Sequence, residues 1–509
     1  MAVLEYLQPT WQLAVVGLLT YILWTVIYRR FFHPLAHIPG PFLPGVTMLY
    51  QSFYNGRYYL EIARMHEKYG PVVRITPEEI HLSDPENYDK IYYVGSKFYK
   101  SPNLYNALCI PLSTFGCVSN ETHRIRRGAM NPMFSRKMVL ELEQVVQDKA
   151  RKVCKITQKG IDAGQPIDLH HAFRSVSVDV ISDYAFDGSY DLLDKEDIGA
   201  YFFRMVRGLG PAFYTFQQIP LAQKIALSTP PWLAPYLSEP LGCVTGFQQD
   251  CAKQAQAVKL KMEQGKLGHR QTIFSTLLNL EDKPAGYEVP DNEMLMQQAY
   301  SVLAAAADTT GNAMTVAAYH ILKNPSIYQS LVKELQAAFP DPGSQLAFVE
   351  LEKLPYLTAV IKEALRLSFG VPGRVPRVTP DPGASFNGYA VPGGTIVGMS
   401  SWLMHRNPEV FPDPMKFDPS RWLDADNYRR LDHHMVPFGR GTRQCVGMPL
   451  AYCELYVTLG TFFHRFPQGL QVYKTTDYDM EYVDFFSSYH IEGRNWFKAI
   501  GTDIKGGTL

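Results

Sequence analysis

One cysteine in this chain stands in surroundings suited to holding a metal. Cys445 lies in FGRGTRQCVG, Phe438 to Gly447, between a loop rich in glycine and arginine and the apolar helical pattern Met448 to Phe466. A thiolate there sits at the N-terminus of a helix, where unpaired backbone N–H groups and the positive end of the dipole favour an anion. Gly441 and Gly447 let the backbone bend and approach a large flat ligand closely. Arg443, two residues before the sulfur, can meet an acidic group on that ligand. A lone cysteine is more often an inert core residue. The pattern FxxGxRxCxG, met by Phe438, Gly441, Arg443, Cys445 and Gly447, reverses that balance.

A second candidate lies upstream. Asp291 after Pro290 is a helix N-cap signal and Asn324-Pro325 a stop signal, so one helix of roughly thirty residues, about 50 Å long, is expected between them. Near its middle stands AAAADTTGN. As plain core, alanine is the best helix former and threonine bonds back to the preceding turn. As chemistry, small residues let the helix pass over a flat group, and Asp308 and Thr309 can relay protons; they are the catalytic candidates. In HRIRR, His123 and Arg127 share one helical face, either a solvated basic face or a site for ligand carboxylates. Arg124 and Arg126 point elsewhere and can meet an acidic protein partner. Glu363 and Arg366, in KEALRL, are spaced to pair along a helix.

The elements that must position these residues are bounded by composition. The 509 residues are 46% hydrophobic, ample for a core. Lys+Arg and Asp+Glu both number 49, which gives no reason to expect nucleic acid as a partner. Seven scattered cysteines form neither a disulfide framework nor a CxxC zinc pattern. Trp11 to Tyr28 is interrupted only by Gln12, Thr20 and Thr25; as a helix of about 27 Å it is a candidate membrane span. Glu5 precedes it and Arg29 and Arg30 follow, unlike a cleaved signal peptide, and place the body in the cytosol. The expected organisation is an anchor over 1–30, a proline-rich linker over 31–44 and one catalytic body over 45–509. Met65 to Gly70, Val72 to Ile75 and Ile80 to Leu82 suggest a helix, a turn and a short hairpin. Pro230-Pro231-Trp232-Leu233 is an apolar break suited to a membrane surface. The sequon Asn120-Glu121-Thr122 is accidental if the body is cytosolic. No GxGxxG fingerprint with an acidic ribose ligand is present.

The cysteine loop resembles the haem-binding loop of the cytochrome P-450 monooxygenases, whose cysteine is the axial thiolate. Three further signatures stand in the family's order: Ala305 to Thr310 for AGxD/ETT, with Ala306 in place of glycine; Glu363 and Arg366 for ExxR; and FDPSRW, whose Arg421 would complete a buried structural trio. The resemblance implies a mostly α fold with small β-sheets behind the N-terminal transmembrane helix. It implies haem b, with Cys445 on the iron and His123, Arg127, Arg377, Phe438, Arg443 and Gly447 holding the group. His123 stands where the family usually has tryptophan. The implied reaction inserts one oxygen atom of dioxygen into a lipophilic molecule, with electrons from an NADPH-dependent flavoprotein reductase, at the endoplasmic reticulum membrane. YRRFFHPLAHIPGP, MHEKYGPVVRI, HRIRRGAMNPMFS and ISDYAFDGSYDLL resemble the trichodiene-oxygenase-like branch of filamentous fungi, which implies a terpenoid or other secondary metabolite as substrate. Pocket residues are then expected in Tyr105 to Phe115, at Ala304 and Ala305, in Val371 to Gly373 and near Phe485. A haem-thiolate isomerase or dehydratase needing no external electrons, and a non-catalytic haem sensor, are the competing readings; Asp308-Thr309 argues against the first, the lack of an appended regulatory region against the second.

Overall fold

Helices dominate the computed structural model, which describes residues 2–268, 270–281 and 283–502, with side chains from residue 11 onward. The helix after the cysteine loop, Met448–Arg465, is buried along most of its length and packs on Arg136–Asp162, Thr310–Lys323 and Pro355–Ser368. Leu169–Phe186 is buried on every face, as a helix at the centre of a bundle must be. Its one fully enclosed guanidinium, Arg174, therefore requires partners inside the protein.

The helix expected over 291–324 is two helices. Asn292–Ala307 ends at Asp308 and a second begins at Thr310 and runs to Lys323. The alanine run favours an unbroken helix; the side chains of the two intervening residues override it, as described below.

Small sheets flank the bundle. A five-stranded sheet has the order Val72–Arg74, Glu79–Leu82, Ile396–Gly398, Arg377–Val378, Tyr99–Lys100. The first two form the expected hairpin, Val72 opposite Leu82 and Arg74 opposite Ile80. This sheet delivers Lys100 and Arg377 side by side, paired in register. A separate hairpin, Tyr482–Asp484 with Ser488–His490, carries Phe485 and Phe486 at its turn.

Helix Ala2–Ile27 stands at the N-terminus, and Trp11–Phe32 is long and apolar enough to cross a membrane, with mean hydropathy 1.6 and no part of it buried. The stretch 31–44, expected as a linker, packs on the body: Leu35 and Ile38 are buried against Val72, Ile80 and Val391. Arg29 donates from Nη1 to Val46 O at 2.6 Å and accepts at its carbonyl from Arg74 Nη1 at 2.8 Å, so the base of the helix is fastened to the sheet. Trp232 and Tyr236 are exposed beside Ile219, Leu221 and Ile225, so the apolar break does lie at the surface. The Asn120 amide of the sequon donates to Ser96 O at 3.1 Å and Phe98 O at 3.4 Å and accepts from Arg443 Nη2 at 3.0 Å; it is committed inside the protein.

Candidate active site

Cys445 closes its loop by donating its backbone N–H to Phe438 O at 2.9 Å. Gly441 makes the turn: its φ is +71°, and a Cβ there would meet Tyr93 O at 2.4 Å. Gly447 has an ordinary φ of −78°, and a Cβ on it would meet nothing nearer than Cys445 Sγ at 3.9 Å. Any demand for glycine at 447 therefore comes from the ligand side. Cys445 is exposed and lines a cavity of about 390 Å³, which Phe438, Arg443 and Gly447 also line. Burial pushes the thiol pKa up, against the Gly447 and Met448 N–H groups and the charge of Arg127. The N–H donors are those expected of a helix start, but burial outweighs them, so a coordinated cation is what would stabilise the thiolate.

The same cavity gathers Lys100, His123, Arg127, Arg377 and Arg443 at one end. Among the described residues none of the five forms an ion pair with a carboxylate. Burial and neighbouring cations depress three of them: Lys100 falls well below its ordinary value, Arg443 to about 10 and His123 to about 2; burial alone lowers Arg127, and Arg377, despite burial, is raised by the phenols of Tyr105 and Tyr92. His123 Nδ1 and Arg443 Nε are buried without partners. Orphaned donors and uncompensated positive charge around one cavity are what a ligand with two carboxylates would satisfy. With a thiol facing the same space, these residues fit a haem.

Three of the arginines do more than was expected of them. Arg443 spends its terminal nitrogens on Cys117 O at 2.7 Å, Val118 O at 2.8 Å and Ser119 O at 3.0 Å, leaving Nε. Arg127 donates to Gln444 O at 2.7 Å and so ties its helix to the cysteine loop. Arg377 donates to the Tyr105 hydroxyl at 3.0 Å. Arg126 is not free for a partner protein, since it donates to Leu112 O at 2.7 Å; Arg124 is exposed.

Across the cavity, Thr309 donates its hydroxyl to Ala305 O at 2.7 Å, which takes a carbonyl out of the helical ladder. Asp308, at φ −127°, turns its carboxylate away from the cavity onto Arg174 Nε at 3.1 Å and Arg207 Nε at 2.9 Å, with a further bond from Arg207 Nη2. These contacts break the helix. Arg174 can reach because Gly311 lies against its backbone, where a Cβ would meet Arg174 Cα at 2.5 Å. Burial would raise the Asp308 pKa, but Arg207 and Arg174 hold it at about 2. Thr309 faces the cavity; Asp308 stands behind it.

Three contributors escaped sequence reading. Lys100, Arg207 and Glu454 carry no local motif, although Glu454 is nine residues after Cys445 on the following helix. Glu454 lines the cavity, accepts from Ser177 Oγ at 2.7 Å, and is pushed by burial from 4.5 up to about 8. A carboxyl whose folded pKa is raised stabilises only while protonated, and that contribution disappears as pH climbs through the window from 4.5 to about 8. Glu454→Gln cannot ionise, so its stability relative to the native chain should grow across that window. Thermal melts below and above it check this; an unchanged difference would mean that Glu454 ionises freely.

Comparison with known proteins agrees with this geometry. The model of the family described as Cytochrome P450 matches residues 38–480. The cytochrome P450 monooxygenase macH of Penicillium terrestre is 31% identical over 495 residues, 95% of this chain and 96% of the relative. The tryptophan 6-hydroxylase fscE of Fusarium equiseti is 34% identical, over 90% of this chain and 91% of its own. The conidiogenone synthase PchP450 of Penicillium rubens is 34% identical, over 89% and 91%. A crystallised cytochrome P450, CYP102L1, superposes with a TM-score of 0.70 over 87% of this chain and 94% of its own, at 17% identity, a likeness of fold. The expected pocket segments also line the cavity through Tyr105, Phe115, Ala304, Ala305, Val371 and Phe485, whereas Gly373 packs against Asp484. With a thiol, a carboxylate-hungry basic cluster and an acid-threonine helix break around one apolar cavity, the chain belongs to the cytochrome P450 family and is a haem-thiolate monooxygenase.

Proposed function

We propose that the substrate is an uncharged lipophilic small molecule of fungal secondary metabolism, a terpenoid or similar ring compound, oxidised at a carbon held beside Thr309. The carrying observation is the cavity itself: its wall is mainly apolar, and its cations cluster where haem carboxylates would lie. Cys445 would hold the iron of a bound haem and Lys100, His123, Arg127, Arg377 and Arg443 would meet its carboxylates, the group supplying the activation of dioxygen. Electrons come from a separate NADPH-dependent flavoprotein reductase. The helix Trp11–Phe32 anchors the body on the cytosolic face of the endoplasmic reticulum membrane.

The chain's own part in the reaction is proton supply and exclusion of water. The Thr309 hydroxyl donates to Ala305 O and lines the cavity, so it is left to accept a hydrogen bond from a water there. Asp308 is 2% exposed and paired twice. For it to pass a proton, a rotamer must release Arg207, the more accessible of its two partners.

Haem-loaded protein with reductase should consume NADPH only when substrate is present, and the product should carry one oxygen atom from labelled dioxygen. Conversion without NADPH would favour the isomerase reading. Thr309→Ala should keep electron uptake but lower product per NADPH by about a hundredfold, the low end of the range for losing one proton-transfer group. If the ratio of product to NADPH is unchanged, Thr309 does not carry the proton.

A further inference from the structure

Five tyrosines line the cavity: Tyr88, Tyr92, Tyr105, Tyr300 and Tyr489. Two have internal partners. The Tyr92 hydroxyl donates to Val375 O at 2.9 Å and accepts from Met399 N at 3.1 Å, and the Tyr105 hydroxyl accepts from Arg377. Tyr88 lies at the basic end, with Arg440 over its ring at 5.8 Å. Tyr300 stands in the apolar part, and Tyr489 lies beside the Arg207–Asp308 pair, with Arg207 over its ring at 5.8 Å. Tyr300 packs on Phe247 at 4.7 Å between ring centroids, and Tyr489 on Phe485 at 5.9 Å. Among the described residues neither hydroxyl has a hydrogen-bond partner.

Buried phenols ordinarily find a partner, because an unmet donor in a dry cavity is costly. Tyr300 is buried and Tyr489 half-buried, and both groups stay protonated, desolvation pushing Tyr300 and Tyr489 upward. They are close enough that ionising one opposes ionising the other. Tyr489 is also wedged: a Cβ on Gly210 would meet its Cε2 at 2.6 Å, so its ring has little room to turn away. Two unpartnered phenols in a mainly apolar wall, which also carries Ser301, Thr309 and Thr310, favour an acceptor on the ligand.

We infer that Tyr300 and Tyr489 form the polar anchor of the substrate cavity, donating to a carbonyl or hydroxyl oxygen of an uncharged ring compound. This rests on the proposed monooxygenase reading and adds to it the class of substrate. The reaction that supplies the substrate must then deliver a skeleton already bearing oxygen, since a bare hydrocarbon leaves both phenols unmet.

The test uses haem-loaded full-length protein in detergent micelles and two probes that share one frame, 5α-androstane and 5α-androstan-3-one. Calorimetric titration should show the ketone binding about tenfold more tightly, the value of one to two well-made hydrogen bonds. In Tyr300→Phe with Tyr489→Phe the preference should fall within about twofold, with binding of the hydrocarbon retained. Equal binding of the two probes by the native chain, or a preference that survives in the double variant, overturns the assignment. Binding of neither overturns it too, because the assigned ligand class is an uncharged ring compound. The reduced carbon monoxide spectrum of each sample separates this failure from failure of the haem-thiolate reading: a thiolate-type band leaves that reading standing, and its absence removes both.

Discussion

Cys445→Ala should abolish the thiolate-type band of the reduced carbon monoxide complex and lower substrate oxidation by a factor on the order of 10⁴ or more, as expected when one member of an interdependent set is removed. Alanine deletes the sulfur yet keeps the Cys445 N–H bond to Phe438 O and the turn at Gly441. The basic end of the cavity, with Lys100, His123 and Arg377, is also untouched. Haem content should therefore stay near one per chain while its axial sulfur is lost. Optical spectra and a haem-to-protein ratio on the same sample check both halves. A variant that keeps the thiolate-type band removes Cys445 from the metal. One that is folded but free of haem shows that the cations alone do not hold the group.

The cysteine loop was legible because its determinants are neighbours in sequence: ten residues contain the ligand, the turn and one arginine. The helix break at Asp308 was not, because the forces that make it come from Arg174 and Arg207, which lie far off along the chain. Alanine propensity speaks for continuity there, and only the tertiary ion pairs speak against it. Lys100 reads as an ordinary surface lysine until its strand is laid beside Arg377. The stretch 31–44 reads as a linker through its prolines, although Leu35 and Ile38 were apolar residues needing cover. Arg443 shows a different limit: its type and spacing pointed to the ligand, yet most of its nitrogens hold residues 117–120 in place. Position in a motif says where a side chain is, and the competing carbonyls around it decide how much of it is free.

The largest loss of folding should come from Glu363, which no reaction step uses. Its carboxylate is fully enclosed and accepts from Arg366 Nε at 2.9 Å and Nη2 at 2.7 Å, Arg421 Nε at 3.2 Å, Trp422 Nε1 at 2.9 Å and Asp418 N at 3.0 Å. Arg366, equally enclosed, spends its remaining donors on His405 O, Pro414 O and Lys416 O. Glu363→Ala strands that buried guanidinium together with the Trp422 N–H, a loss of about 3–5 kcal/mol. Against a total stability of about 5–15 kcal/mol this lowers the yield of folded protein outright. Arg421 is 10% exposed and contributes one of the five bonds, so Arg421→Ala should be the milder change, at about 1–2 kcal/mol. Arg366→Ala should fall between, because Glu363 keeps three other donors but loses its closest charge. Urea midpoints of the three haem-loaded variants give the order directly. If Glu363→Ala proves no worse than Arg421→Ala, the carboxylate is not the hub that ties Pro355–Ser368 to the loop at 413–422, and the arginine bonds to carbonyls carry that junction instead.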